Sequence, residues 1–177
     1  MNGQGFLNIE KIVGQLGIEP NESIADFGAG HGFFSIAFAE KVGPSGQVFA
    51  IDVLQSALEA IKSQAKLLGF FNIKIIRGNL EKIGGSMLPN ESCGLVFIAN
   101  ALFQMPDKST LLNETKRVLK PNGRLAVIEW KPYIALGPAK ESRLSETELK
   151  QLISSFGFSE LKTIDAGSHH YGFLFKK

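Results

Sequence analysis

Short apolar runs alternate along this chain with longer segments whose apolar residues recur at helical spacing. Apolar runs of roughly four to eight residues bounded by turn residues are typical of buried strands, whereas apolar residues every three or four positions indicate amphipathic helices. Clusters of glycine, proline and asparagine separate the segments, as expected of turns. The pattern predicts helices over residues 6–16, 33–42, 56–68, 107–120 and 145–157, and strands over residues 23–27, 47–51, 73–77, 94–99, 124–130, 160–165 and 171–175.

This alternation of strands and helices with short connections predicts a doubly wound α/β sheet whose strands are mostly parallel. The last two strands are separated by a short turn that contains Gly167-Ser168-His169, so they can pair as a hairpin and the last strand should run antiparallel. No internal repeat or linker is evident. We expect one domain over residues 1–177, with an N-terminal helix and lead-in over residues 1–20 and a candidate lid loop over residues 131–144.

Three helices carry recognisable start signals. Asp107 is a suitable N-cap residue for the fourth helix, because a short acidic side chain can accept from the first free backbone N–H groups. Ser56 with Glu59, and Ser145 with Glu148, have the spacing of capping boxes for the third and fifth helices.

Composition and charge exclude several classes of protein. The formal net charge is only +2, so neither a nucleic acid nor a membrane surface is indicated as a partner. Cys93 is the single cysteine, which rules out a disulfide framework and a cysteine-based metal site. The N-terminal residues lack the features of a signal peptide, and no apolar run is long enough to cross a bilayer. We therefore expect a cytoplasmic protein.

The most informative stretch is residues 23–34, where a buried strand ends in Asp26 and passes through a glycine-rich turn into a helix. Glycines at positions 28, 30 and 32 allow positive φ and let a ligand approach the backbone without a Cβ in the way. The free N–H groups at the start of the helix attract an anionic group. Asp26 can accept from the turn amides or from a cationic ligand. A ligand that carries both an ammonium and a carboxylate group suits this corner.

The turn differs from the dinucleotide fingerprint G-x-G-x-x-G, because Phe33 occupies the position of the third glycine. Asp52 ends the second strand about twenty residues later, which is the place for a carboxylate that binds ribose hydroxyls. A residue there can also cap the following helix, and we favour the ribose role because strand position and spacing agree.

These residues resemble the class I S-adenosylmethionine-dependent methyltransferases, and the resemblance covers essentially the whole chain. Asp26–Gly32 is similar to the first motif of that family, Ala50–Val53 to its second-strand motif, and Arg77–Glu81 to its adenine-contacting loop. Residues 112–125 resemble the helix, turn and fifth strand of its small-molecule subgroup. The resemblance implies a Rossmann-like sheet of seven strands in the order 3-2-1-4-5-7-6 with helices on both faces, and S-adenosyl-L-methionine as the cofactor.

The resemblance also implies which residues bind the cofactor. Asp52 would contact the ribose and Val53 the adenine, while Asn79 stands where the family often has an acid. The full set implied is Asp26, Gly28, Ala29, Gly30, Gly32, Asp52, Val53, Asn79, Leu80 and Asn100.

The residues around the methyl acceptor are less defined by the sequence. Candidates must follow the carboxyl ends of the strands, and they are Asn100, Trp130, His169 and Tyr171. The stretch after Asn100 lacks the paired prolines of nitrogen methyltransferases, which leaves an oxygen, carbon or sulfur nucleophile. His169 and His170 are neighbours in a strand and point to opposite faces, so no metal site is expected.

The favoured interpretation is an enzyme that methylates a small molecule by in-line displacement. Three alternatives remain open from the sequence: a non-catalytic cofactor-binding module of the same fold, a methyltransferase that acts on protein or RNA, and a nicotinamide-dependent oxidoreductase. The oxidoreductase is disfavoured by Phe33 and by the lack of a Tyr-x-x-x-Lys pair.

Overall fold

The computed structural model describes residues 7–177, which contain a single seven-stranded sheet in the order β3-β2-β1-β4-β5-β7-β6. Strands β1 to β5 are mutually parallel, and β7 is antiparallel to both β5 and β6. The predicted strand order and the antiparallel last strand are therefore confirmed. The strands are β1 Ser23–Phe27, β2 Gln47–Asp52, β3 Ile73–Arg77, β4 Cys93–Ala99, β5 Leu119–Trp130, β6 Ser159–Ile164 and β7 His170–Lys176.

In the described part of the chain, five α-helices cover the two faces of this sheet. They are α1 Ile9–Gly14, α2 Phe33–Val42, α3 Gln55–Leu68, α4 Lys108–Val118 and α5 Glu146–Ser155, with short 3-10 turns at Leu102–Gln104 and Lys140–Ser142. The first helix is shorter than the predicted 6–16, and its predicted first residue, Phe6, lies outside the described residues. Within residues 7–177 no helix is both long and apolar enough to span a membrane.

The apolar core is divided by the sheet into two layers. On one face, Phe34 and Phe38 of α2 pack on Phe97 of β4, with ring centroids 4.5 Å and 5.0 Å apart. On the other face, α4 and α5 contribute Leu111, Ile153 and their neighbours to a larger cluster. Strand β4 is buried along most of its length, as a central strand covered on both faces should be.

Two helix starts match the sequence and one does not. Asp107 accepts from the backbone N–H of Ser109, and Ser145 forms a complete capping box with Glu148. The predicted box at Ser56 is wrong, because α3 begins one residue earlier and its N-cap residue Leu54 makes no side-chain capping bond. Asp52 performs that role instead, since its Oδ1 accepts from the N–H of Leu54 at 2.9 Å.

The junction between α4 and β5 also differs from the prediction. The helix ends at Val118 rather than near residue 120, and the strand begins at Leu119, which pairs with Cys93 before the register shifts. The Pro121-Asn122-Gly123 turn is therefore an irregularity within the strand, with Asn122 at a φ of 62°.

The antiparallel direction of β7 determines which of its residues lie near a ligand. Trp130 at the end of β5 pairs with His170 at the start of β7, while Arg124 pairs with Lys176. The first residues of β7 therefore lie at the same sheet edge as the carboxyl ends of the parallel strands, where open α/β sheets bind their ligands.

Candidate active site

A cavity of about 650 Å³ opens at the carboxyl ends of the parallel strands. It is bounded by the glycine turn after β1, the segment after β2, the loop after β3 and the segment after β4. Its lining residues are Gly28, Gly30, Asp52, Val53, Leu54, Gly78, Asn79, Leu80, Glu81, Ala99, Asn100, Ala101, Gln104 and Met105.

The glycines of the turn have different roles. The N–H groups of Gly28 and Ala29 both donate to the carbonyl of Ile51, which ties the turn to β2. A Cβ atom at Gly30 would meet no atom within 4 Å, so this residue faces the open cavity. A Cβ atom at Gly32 would lie 2.5 Å from Cγ1 of Ile61 on α3. Gly28 and Gly30 therefore line the cavity, while Gly32 permits close packing of two helices.

Asp52 links the glycine turn to the start of α3. Its Oδ2 accepts from the N–H of Gly30 and its Oδ1 from the N–H of Leu54, both at 2.9 Å. Each carboxylate oxygen retains a second lone pair, so the same side chain can also accept from a ligand diol. Both interpretations of Asp52 from the sequence, ribose binding and helix capping, are thus compatible with its geometry.

Asp26 is buried behind the turn and does not line the cavity. It is 3% exposed, and its Oδ2 accepts from the hydroxyl of Ser35 at 2.6 Å. Burial, together with a smaller effect of the Asp52 charge, outweighs the Ser35 hydrogen bond and raises the pKa of Asp26 to about 7. A buried carboxyl that titrates near neutral pH would ionise more readily if a cation bound close by.

The loop that carries Asn79 and Leu80 is held in place by Glu114 of α4. This fully buried carboxylate accepts from the N–H of Gly84 at 2.7 Å and from the hydroxyl of Ser86 at 2.5 Å. Arg117 donates to both of its oxygens. Burial alone would raise the pKa of Glu114, but the hydrogen bonds from Arg117 and Ser86 outweigh it and lower the pKa to about 2.

Asn100 forms the opposite wall of the cavity, at the end of β4. It has a φ of 54°, a conformation that asparagine tolerates better than most residues. Its Nδ2 lies 3.2 Å from Nε2 of His170, and its carbonyl accepts from the side chain of Gln104. His170 was not among the candidates named from the sequence, which were its neighbours His169 and Tyr171, although the predicted strand order places all three at this edge.

The other three acceptor-site candidates do not line the cavity. Trp130 packs against His170 at an interplanar angle of 44°, with ring centroids 4.1 Å apart. His169 lies in the turn before β7, with Nδ1 2.8 Å from the hydroxyl of Ser168. Tyr171 points into the core on the α4–α5 side, where its hydroxyl donates to the carbonyl of Leu144 at 2.8 Å and burial raises its pKa.

A third buried carboxyl, Glu129 of β5, supports the segment after β4. It is 2% exposed, and its Oε1 accepts from the N–H of Leu102 at 2.9 Å. Burial raises its pKa to about 7. The sequence places Glu129 at a strand end but gives no signal that its side chain turns back under a neighbouring loop.

The residues present fit S-adenosylmethionine. The cavity is large enough for a nucleoside and a short amino-acid chain, Asp52 offers carboxylate oxygens at one end, and Gly30 leaves space beside the turn amides. Among residues 7–177, no three His, Cys, Asp or Glu side chains come together in a way that could hold a metal ion.

Fold and site together define a class I methyltransferase core. The chain belongs to the methyltransferase domain family, whose sequence pattern matches residues 18–167. The predicted family is therefore confirmed, and with it the cofactor, S-adenosylmethionine.

Three relatives illustrate the similarity. The demethylmenaquinone methyltransferase of Geobacillus kaustophilus is 31% identical over 120 residues, which are 68% of this chain and 50% of that protein. The ubiquinone/menaquinone biosynthesis C-methyltransferase UbiE of Hahella chejuensis is 35% identical over 64% of this chain and 45% of its own length. A SAM-dependent methyltransferase from Aquifex aeolicus superposes with a TM-score of 0.87 at 27% identity, covering 97% of this chain and 90% of that one. The chain thus spans about half the length of the curated relatives it matches.

Proposed function

We propose that this chain methylates a ring carbon of a small aromatic acceptor of the reduced-quinone type, with S-adenosylmethionine as the methyl donor. The observation that carries the proposal is the cavity itself, which joins a carboxylate and glycine turn at one end to Asn100 at the other. The names of the curated relatives, which refer to demethylmenaquinone and to C-methylation, favour carbon among the oxygen, carbon and sulfur nucleophiles.

The chemistry of such an acceptor is consistent with a site of this kind. When bound, S-adenosylmethionine supplies an electrophilic methyl group on a sulfonium. A ring carbon next to a hydroxyl is nucleophilic in a hydroquinone and is not nucleophilic in the oxidised quinone. A new carbon–carbon bond forms as the carbon–sulfur bond breaks, its electron pair stays on sulfur, and the ring proton is released. The chain's part is to hold the acceptor in line and exclude water.

The loop over residues 131–144 supports the proposal as a wall and cover for an apolar acceptor. It follows β5 at the ligand edge and carries the exposed side chains Tyr133 and Leu136. Arg143 holds this loop in one shape by donating to the backbone carbonyls of Lys131, Ile134, Leu136 and Pro138. We propose that the loop, kept in this shape by Arg143, covers the bound acceptor.

The test combines binding with methyl transfer. Calorimetric titration should give micromolar affinity for S-adenosylhomocysteine and no heat with NADH. Under nitrogen, labelled methyl from S-adenosylmethionine should enter 1,4-naphthalenediol and should not enter 1,4-naphthoquinone. Asp52→Ala should weaken S-adenosylhomocysteine binding by about tenfold, as the loss of a charge-assisted hydrogen bond does, whereas Glu59→Gln on the exposed surface of α3 should not change it.

Each failure has its own meaning. Binding without transfer to the diol would refute this acceptor class and favour a protein or RNA acceptor, or a module that only binds the cofactor. Absence of S-adenosylhomocysteine binding would refute the enzyme interpretation of the isolated chain.

We also propose a cytoplasmic location, because a single cysteine suits a reducing compartment.

A further inference from the structure

Two side chains from distant parts of the chain meet at the edge of the cavity. Asn100 follows β4, and His170 begins β7; the amide Nδ2 of the first lies 3.2 Å from the imidazole Nε2 of the second. His170 is 2% exposed, whereas Asn100 is among the lining residues of the cavity. The pair therefore connects the protein interior to the ligand space.

Both side chains of this pair have an atom without a hydrogen-bond partner. In the part of the chain that the structure describes, three buried side-chain nitrogen or oxygen atoms are unpaired: Asn100 Oδ1, His170 Nδ1 and Thr115 Oγ1. The third lies on helix α4, and the other two belong to one contacting pair. Buried polar atoms in folded proteins are nearly always paired, and Asn100 lines the cavity, so its unpaired oxygen indicates a hydrogen-bond donor that a bound ligand supplies.

The charge state of the His170 imidazole determines which atoms of the pair are free to bind a ligand. Burial, followed by the positive charges of His169 and Lys131, lowers the pKa of His170 to about 4, so the ring is neutral at neutral pH. A neutral imidazole has one donor and one acceptor nitrogen. When Nε2 accepts from the amide of Asn100, the proton is on Nδ1, and Oδ1 of Asn100 is left as a free acceptor.

The position of the pair favours the methyl acceptor over the nucleoside of the cofactor. Asp52 ends β2, and Asn100 directly follows β4, which lies two strands further along the sheet. Neighbouring strands are about 4.8 Å apart, so roughly 10 Å separate the two strand ends. His170 begins β7, which lies two strands beyond β4 and next to β5, the strand that ends in Trp130 and leads into the 131–144 loop.

The imidazole is itself held by packing. Trp130 packs against it with the rings tilted and their centroids 4.1 Å apart. Gly137 of the 131–144 loop lies so close to Trp130 that a Cβ atom there would be 2.6 Å from the indole Cε3. A continuous series of contacts therefore leads from the loop through the indole and the imidazole to the Asn100 amide at the cavity.

We propose that Asn100 binds the methyl acceptor directly, with Oδ1 accepting a hydrogen bond from an acceptor hydroxyl, and that His170 is the positioning residue that fixes the orientation of the Asn100 amide. The identity of the hydroxyl as that of a reduced quinone rests on the proposed function. The orientation of the amide does not. An O–H that donates to Asn100 would hold the neighbouring ring carbon in one place relative to the donor methyl.

The test uses variants that separate the two roles. His170→Phe keeps a ring against Trp130 and removes the nitrogen that orients Asn100, whereas His170→Gln restores an acceptor. Asn100→Gly removes the binding oxygen and tolerates the positive φ. Asn113→Asp, an exposed change on α4, is the control.

The readouts are the KM for 1,4-naphthalenediol and the affinity for S-adenosylhomocysteine, which needs no turnover. Asn100→Gly and His170→Phe should raise that KM by about tenfold, as expected when one hydrogen bond is lost, and should leave S-adenosylhomocysteine affinity within about twofold of the parent. His170→Gln should recover most of the KM. A loss of S-adenosylhomocysteine affinity with an unchanged KM would overturn the proposal, because the pair would then serve the cofactor.

Nitrogen-15 NMR of the histidine rings gives a readout that is independent of the acceptor. It should find His170 neutral at pH 7, protonated on Nδ1 and hydrogen-bonded at Nε2. If the parent chain leaves 1,4-naphthalenediol unmethylated, the acceptor class fails, and the positioning role is then decided by this spectrum. A proton on Nε2 would overturn it, since Asn100 would then present its amide nitrogen to the cavity.

Discussion

Replacement of Gly32 with alanine should destabilise the protein strongly and affect ligand binding little. Gly32 has a φ of +82°, and a Cβ atom there would lie 2.5 Å from Cγ1 of Ile61, far inside ordinary contact. The left-handed backbone costs a residue with a Cβ about 1–2 kcal/mol, and overpacking adds about 1–3 kcal/mol. The expected loss in the free energy of unfolding is therefore about 2–5 kcal/mol, a large part of the typical total.

Gly30 provides the matched comparison two residues earlier. Its φ of +53° imposes the same backbone penalty, but a Cβ atom there would meet nothing within 4 Å. Gly30→Ala should therefore lose only about 1–2 kcal/mol of unfolding free energy. Because Gly30 lines the cavity, the new methyl group should weaken S-adenosylhomocysteine binding, whereas Gly32→Ala should leave the affinity of the folded fraction unchanged.

Urea unfolding and calorimetric titration of both variants measure the two effects. The expected result is a crossed one: Gly32→Ala loses more stability, and Gly30→Ala loses more affinity. Equal losses of stability would refute the argument, because they would mean that Ile61 gives way easily. Equal loss of affinity in both variants would mean that Gly32 also serves the ligand.

Three further predictions concern buried charges. The free energy of unfolding should fall as pH rises from about 4 to about 7, because the folded Asp26 carboxyl holds a proton that the unfolded chain has released. In Asp26→Asn, urea unfolding at pH 5, 6 and 7 should show a dependence of this free energy on pH that is weaker by up to about 1.4 kcal/mol per pH unit, while Glu129 still contributes part of the dependence. The same pH dependence in parent and variant would contradict the raised pKa of Asp26. Glu114→Gln should lower the free energy of unfolding by about 2 kcal/mol and weaken S-adenosylhomocysteine binding, because the loop with Asn79 loses charge-assisted hydrogen bonds. Unchanged binding by calorimetry would mean that the loop holds its shape without Glu114. Arg143→Lys should speed chymotrypsin cleavage within residues 131–144, because one ammonium cannot replace a guanidinium that donates to four carbonyls. An unchanged cleavage rate would mean that the loop is held by other contacts.

Local signals in the sequence predicted most of the fold. Continuous apolar runs gave the strands, and the bounds of β1 and β3 were predicted to the residue. Ser145 was recognised correctly as a cap, whereas Ser56 has the same spacing to a glutamate and is not one. The difference is also local: Asp52 accepts from the N–H of Leu54, the residue before α3, and the helix has already begun when the chain reaches Ser56.

The cofactor half of the site could be proposed from sequence because its residues lie in one short stretch and at one fixed spacing. The acceptor half could be proposed only in part: Asn100 was a candidate, but its contact with His170 depends on which side chains meet across strands. His170 and Asn100 are seventy residues apart and meet only because β7 inserts beside β5. Tyr171, the next residue, points to the other face of the sheet and into the core.

The direction of β7 also offers a practical means of observing the molecule. This strand has His170 at the ligand edge and Lys176 at the opposite edge, and six residue steps at about 3.4 Å place them roughly 20 Å apart. The chain's single cysteine, Cys93, is fully buried, and burial raises its pKa to about 11. Lys176→Cys would therefore create one reactive surface thiol, to which a fluorophore can be attached to report ligand binding and tumbling without touching the cavity.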